Sequence, residues 1–384
     1  GTGTGAASSS YQDIESSSFL LIAGANPTEA HPIVGARIKQ QALRGTPLIV
    51  IDPRKIELTQ YADVHLQLTP GTNVALFNGL AKILYDSGDI DEPYLLERIE
   101  NYQEFKTFIE TISLPEIIEA TGVDLPSLQK AASLMSSTHG RGTLFVHGLG
   151  LSELEQGTAS VMTLCNLGML TGSIGKPGAG MLPLRGQNNV QGSADMGSMP
   201  DQFTGYQSIA DPSARKHIQK IWGKLPSDER GLTIPEMIDA AAAGSMHALW
   251  IQGEDIAQSD PNESHVRAAL DALDFLVVQE ISFSETCHYA DVILPAASYL
   301  EQEGTFTNGE RRIQHVRPAV TPPGISLPAW LVVRDSSNIA GAQWTYQNPS
   351  AVMDEIANVA PNPFGGVPYS PFQTAGPPSP SAPA

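Results

Sequence analysis

Phe19-Leu-Leu-Ile-Ala-Gly-Ala-Asn-Pro-Thr-Glu-Ala-His31 is the stretch that decides the fold. Its unbroken apolar start reads as a short strand buried on both faces. Gly24, Asn26 and Pro27 then enforce a turn. A helix follows to about Leu43, with Gly45 near its end. Pro47-Leu-Ile-Val-Ile51 repeats the buried-strand signature and runs into Asp52-Pro-Arg-Lys55. A strand, turn, helix and strand with an acid after the second strand is the order of a dinucleotide-binding unit, in which that acid accepts from a ribose hydroxyl. The first turn lacks the G-x-G-x-x-G spacing, which points away from a plain NAD site and toward a different nucleotide.

The same alternation continues outward. Val64-His-Leu-Gln-Leu68 reads as a third strand, and Pro70-Gly-Thr-Asn73 opens a helix from about Val74 to Tyr85. Thr72 or Asn73 either caps that helix or leaves its first N–H groups for a phosphate. Residues 92–138 read as peripheral helices with a break around residues 122–126. Thr143-Leu-Phe-Val-His147 is another strand, followed by Gly148-Leu-Gly150 and a helix over residues 153–170. Glycines then lead into Pro183-Leu-Arg-Gly-Gln-Asn-Asn-Val-Gln-Gly192. This segment holds one cation, Arg185, among four carboxamides, Gln187, Asn188, Asn189 and Gln191. Arg185 offers a planar fork of donors suited to a carboxylate or phosphate, and the carboxamides both donate and accept. Gly186 and Gly192 permit close backbone approach to a ligand. A polar surface loop is the competing reading.

Beyond it, Thr233-Ile-Pro-Glu236 carries a capping box, His247-Ala-Leu-Trp-Ile-Gln252 and Phe275-Leu-Val-Val-Gln279 read as strands, and Tyr289-Ala-Asp-Val-Ile-Leu-Pro295 gives one more. Alternating strands and helices predict an α/β fold with mostly parallel sheets. Ligands are then expected at strand carboxyl ends: residues 24–29, 52–55, 148–150, 253–255 and 279–282. The chain divides into two Rossmann-like αβα domains, residues 1–187 and 188–330, and an irregular Pro-rich tail, residues 331–384. Residues 1–18 read as irregular.

Composition narrows the classes. A net charge of −19 argues against nucleic acid and anionic membranes as partners. No apolar run approaches the 18 or so residues of a membrane span, and no export signal is read in the small, polar N-terminus. The two cysteines, Cys165 and Cys287, have no C-x-x-C spacing, so an iron–sulfur cluster or Cys-rich zinc site is not expected. Cys165 lies among apolar neighbours as a structural thiol. So few cysteines fit a reducing compartment, and a cytoplasmic location is expected. The histidines show no metal-ligand spacing. His31 lies in the cofactor-like first turn, where a helix-start hydrogen bond explains it equally well.

Gly24-Ala-Asn-Pro-Thr-Glu-Ala-His-Pro32, Asp52-Pro-Arg-Lys55, Pro70-Gly-Thr-Asn73, Arg185-Gly-Gln-Asn-Asn-Val-Gln-Gly192, Tyr289-Ala-Asp-Val-Ile-Leu-Pro295 and Glu303-Gly-Thr-Phe-Thr-Asn308 together resemble the molybdopterin oxidoreductases, of the formate dehydrogenase and DMSO reductase superfamily. The Arg185–Gly192 stretch resembles the formate dehydrogenase catalytic subunits. The resemblance spans residues 1–325. It implies molybdenum or tungsten held by two molybdopterin guanine dinucleotides, formate as substrate, and electron-transfer partners such as iron–sulfur subunits. By the same resemblance, Asn26, Glu29, Ala30, Asp52, Arg54, Gly71 and Asn73 line one dinucleotide, and Gly253, Glu254, Asp255 and Gln279 the other. Gly24, Gly148, Gly150, Gly186 and Gln187 complete the cofactor lining. Arg185 is the implied catalytic residue, holding the formate carboxylate; a salt bridge tying the two halves together is its structural alternative. The family's Cys-rich [4Fe–4S] segment, its metal-ligating Cys or selenocysteine and its C-terminal domain find no match. The resemblance therefore implies the central part of a formate dehydrogenase-like oxidoreductase, inactive alone. The alternatives are a non-catalytic cofactor-binding or assembly module, and a truncated product without independent function.

Overall fold

The computed structural model describes residues 5–136, 142–367 and 369. The described residues form two compact units, those within 5–191 together with 307–312, and those within 192–306 together with 313–369.

The first unit is built on five parallel strands: β1 (Leu20–Ala23), β2 (Leu48–Ile51), β3 (Val64–Leu66), β4 (Leu144–His147) and β5 (Gly180–Pro183). Their order is β3-β2-β1-β4-β5, with Leu20 beside Leu48 on one side and Leu144 on the other. Every residue of β1, β2, β4 and β5 is buried, as an interior parallel sheet covered on both faces demands. Side chains alternate between two cores. Leu21, Ile49, Phe145 and Met181 face one, with the helices Asn73–Ser87, Leu125–Ser136 and Gly157–Leu170. Leu20, Leu48, Val50, Val146 and Leu182 face the other, with Val34 and Ile38 of the helix Pro32–Leu43. The strand order reverses between β1 and β4, the switch point where open α/β sheets bind ligands.

Three local expectations are corrected here. β5 was expected only as a glycine-rich turn; it is a buried strand, short and bounded by Gly180 and Pro183. Residues 1–18, read as irregular, include the short helix Asp13–Ser16, and Ser8 is tied to β5, its N–H donating to the Met181 carbonyl at 3.0 Å. The helix expected over 153–170 begins only at Gly157 and runs to Leu170, and a separate short helix, Leu149–Ser152, precedes it. At Gly157 the turn is so tight that a Cβ would meet the Ser152 carbonyl oxygen at 2.1 Å.

In the second unit a small ladder, β6 (Gln202–Phe203) with β7 (Gln207–Ser208), precedes three parallel strands, β8 (Ala248–Gln252), β9 (Phe275–Glu280) and β10 (Val292–Pro295), in the order β10-β9-β8. The helices Ile234–Ala242 and Glu263–Asp271 cover one face through Ile238, Val266 and Leu270. On the other face Trp250 and Val292 stay exposed, as does Phe275. The expected capping box is present, with the Thr233 N–H donating to Glu236 Oε2 at 2.7 Å. That hydrogen bond is the first reason the Glu236 carboxyl falls to about 2. β11 (Gly304–Thr307) and β12 (Ile313–Val316) pair as a two-stranded sheet.

Residues 331–384 were expected to be irregular, yet the helices Ala329–Ile339, Pro349–Val359 and Pro361–Phe364 occupy much of that stretch. Pro349 and Pro361 sit in first turns, where the missing N–H costs nothing and the fixed φ is already helical. Asn348 caps the second helix, its side chain accepting from the Ala351 N–H at 2.9 Å. Met353, Val359, Ala360 and Phe364 are buried there. Residues 370–384 lie outside the described residues.

Candidate functional site

In the first unit the carboxyl ends of β1 and β4 are joined backbone to backbone. The Gly150 N–H donates to the Gly24 carbonyl at 3.0 Å, and the Gly148 N–H to Ala23 at 3.3 Å. Gly24 has φ +55°, and a Cβ on Gly150 would lie 2.7 Å from the Gly24 Cα. Only glycines allow this approach. Asn73, buried at the start of its helix, donates to the Gly150 carbonyl at 3.4 Å. Thr72 stands at the N-cap position of that helix but makes no side-chain cap, and Asn73 is its first residue. Asn26 Oδ1 accepts from Thr28 Oγ1 at 2.9 Å, while Glu29 and Ala30 are exposed on the same turn.

At the end of β2, Asp52 is buried and its Oδ1 accepts from the Arg54 N–H at 2.8 Å, a turn-forming bond. Arg54 itself is exposed, and Gly71, at φ +86°, faces open space.

Arg185 lies two residues beyond the end of β5. Its carbonyl is bound to His31 Nε2 at 2.6 Å. Its Nη2 donates to the Gln191 Oε1 at 3.0 Å and to the Gly5 carbonyl, and its Nε is enclosed without a partner. Gly186, Gln187 and Asn188 are exposed. Asn189 Oδ1 accepts from the Thr307 N–H at 2.9 Å, which fastens the Arg185 loop to the tip between β11 and β12. On that tip Glu310 Oε2 accepts from the Tyr11 N–H at 2.7 Å, and Gly309 leaves room for the Tyr11 hydroxyl, which a Cβ there would meet at 2.6 Å. His147, the last residue of β4, has a buried Nδ1 without a partner. Burial, and secondarily the charge of Arg185, lowers its pKa to about 4, so the imidazole is neutral at ordinary pH.

The structure thus gathers Arg185, His31, His147, Gln191 and the 307–312 tip. The sequence marked Arg185, the carboxamides around it and the first turn; it missed the closeness of His147 and residues 309–310. Unabsorbed polarity at the ends of apolar runs was the available signal for His147. No sequence signal ties residues 307–312 to this loop.

In the second unit Gly253, at φ +66°, donates to the Gln279 carbonyl at 2.9 Å, and Glu254 is exposed. Gln279 is fully buried, with both amide atoms unpartnered. The Asp255 carboxylate accepts from the Thr286 N–H and Oγ1 at 2.9 and 2.7 Å and from Gln258 Nε2 at 2.7 Å. Burial opposes its ionisation, but these hydrogen bonds prevail and hold it below the ordinary range. Asp255 therefore fastens the turn Glu285–Tyr289 to the end of β8.

Gly71, Gly186 and Gly253 have open space where a Cβ would stand, and the enclosed Gln279 amide has no hydrogen-bond partner, a polar group left for a ligand to satisfy. Among the described residues no three His, Cys, Asp or Glu side chains gather to hold a metal ion.

The comparisons with known proteins agree with this architecture. The family model described as molybdopterin oxidoreductase matches residues 2–338. The chain is 40% identical over 362 residues to F420-dependent formate dehydrogenase 2 subunit alpha of Methanococcus maripaludis, covering 94% of this chain and 53% of that one. It is 39% identical over 369 residues to F420-dependent formate dehydrogenase subunit alpha of Methanocaldococcus jannaschii, covering 96% and 54%. The chain thus spans about half the length of these relatives. Acetylene hydratase from Pelobacter acetylenicus shares the fold, with a TM-score of 0.72 at 18% identity over 91% of this chain and 51% of that one. With a family match over most of its length, and glycine-joined strand ends at the switch point of a parallel sheet, the chain belongs to the molybdopterin oxidoreductase family.

Proposed function

We propose that this chain is the central, cofactor- and substrate-holding part of a formate-oxidising molybdopterin enzyme. The observation that carries the reading is Arg185: a fixed guanidinium at a strand end, beside a neutral histidine and among carboxamides, in a chain otherwise net acidic. A guanidinium so placed grips a small carboxylate and orients it. Gly24, Asn26, Glu29, Ala30, Asp52, Arg54, Gly71, Asn73, Gly148 and Gly150 line one guanine dinucleotide, with Gly186 and Gln187 reaching it from the Arg185 loop. Gly253, Glu254, Asp255 and Gln279 line a second. When bound, the molybdenum or tungsten bis-dinucleotide supplies the two-electron chemistry. Formate loses two electrons and a proton to become carbon dioxide, and the electrons leave to an iron–sulfur or other electron-transfer subunit.

Around that reaction the chain binds and orients. Arg185 holds the carboxylate so that the C–H bond faces away from the guanidinium. Neutral His147 adds no second positive charge to compete for the anion. The test is metal and pterin analysis, together with formate-dependent dye reduction, of this chain assembled with the segments of the family that find no match in it, the metal-ligating Cys or selenocysteine and the C-terminal domain included. Retained pterin with formate-dependent reduction, given an electron-transfer partner, is the expected result. Retained pterin without formate turnover, partner present, would favour the module that only holds or delivers cofactor. Absence of pterin would defeat both.

A further inference from the structure

We infer that Gln191 is a positioning residue that sets which edge of the Arg185 guanidinium meets a bound carboxylate, an inference that rests on the formate reading above. A guanidinium has two two-donor edges, Nε with Nη2 and Nη1 with Nη2, and both use Nη2. In this structure Nη2 already donates to Gln191 Oε1 at 3.0 Å and to the Gly5 carbonyl, and Nε is enclosed without a partner. A carboxylate gains a two-point grip only if one of these partners yields. Gln191 is 1% exposed and its oxygen is fixed by packing. Gly5 is exposed, and a Cβ added there would meet nothing within 4 Å. The Gly5 carbonyl therefore stands where a carboxylate oxygen binds, and Gln191 keeps the guanidinium plane in place while the exchange occurs. His31, holding the Arg185 carbonyl at 2.6 Å, fixes the base of the same side chain.

Two substitutions separate this role from ordinary core packing. Gln191→Met keeps length and bulk but loses the acceptor oxygen; Gln191→Glu keeps the acceptor and adds a charge. Two readouts apply to the cofactor-loaded protein. One is the split of formate KM against kcat. The other is labelling of Arg185 by an arylglyoxal, followed by peptide mass spectrometry, with and without formate. In Gln191→Met, KM should rise about tenfold, the worth of one hydrogen bond to a charged group, with kcat changing less. Arg185 should be labelled faster than in the wild type. In Gln191→Glu the labelling should slow and KM should rise, because the added carboxylate competes with formate for the guanidinium. Wild-type KM and labelling rate in both variants would overturn the proposal. Should the wild type neither oxidise formate nor be protected by it, while Gln191→Met still labels faster, the formate reading fails and the positioning role stands.

Discussion

His147 shows how a single buried side chain ties the site to pH. Enclosure at the end of β4, with the Arg185 charge nearby, lowers its pKa from the usual 6.5 to about 4. The unfolded chain binds this proton near pH 6.5, whereas the folded chain resists it down to about pH 4. The neutral imidazole's contribution is therefore complete above pH 6.5 and is lost as pH falls toward 4. Between pH 7 and pH 5 the loss amounts to about 2 kcal/mol. Urea unfolding at the two pH values should reveal this slope, and His147→Asn should flatten it. An unchanged slope in the variant would place the acid sensitivity elsewhere. At this scale the sequence marked Arg185 by its chemistry but not its company. Gly5 lies 180 positions away from it, and Thr307 lies 118 from Asn189. Such pairings follow from chain topology, not from local pattern. Asp255 illustrates the reverse: its acid was legible, but its use in fastening residues 285–286 was not.

At the scale of elements, the junction between the ends of β1 and β4 depends on backbone contact that a single methyl would break. A Cβ at Gly150 would press on the Gly24 Cα at 2.7 Å and its oxygen at 2.8 Å, atoms that cannot rotate away. Gly150→Ala should cost about 1–3 kcal/mol by overpacking. It should also strip pterin from the purified protein, because Asn73 is anchored to the Gly150 carbonyl. Thermal unfolding and pterin fluorescence check the two halves of that expectation; wild-type values in both would show that the junction tolerates a side chain. The strands on either side were legible because β1, β2 and β4 are uninterrupted apolar runs buried on both faces. β5 was not, since four residues ending in Gly and Pro carry too little pattern to separate from a turn. The helices beyond residue 331 were hidden for a related reason. Proline density there reads as breakage, whereas Pro349 and Pro361 stand in first turns.

Across the whole molecule, two parallel α/β units repeat one physical device: strands that end in glycine-bearing turns with acids and carboxamides close by. Gly24 with Asp52 serves the first unit, and Gly253 with Gln279 the second. No helix among the described residues is long and apolar enough to cross a membrane. The alternation of strands and helices, and hence the class, was open to reading from the chain. The assignment of residues 307–312 to the first unit was not, because that contact is made by backbone and shared polar groups. The central claim, that Arg185 receives formate, is tested most directly by Arg185→Ala in the cofactor-loaded protein, measured as formate-dependent kcat/KM alongside metal and pterin content. The account predicts unchanged cofactor with kcat/KM lowered about a hundredfold or more, the effect of removing a charged partner from a bound ion. Wild-type kcat/KM at full cofactor content would contradict it.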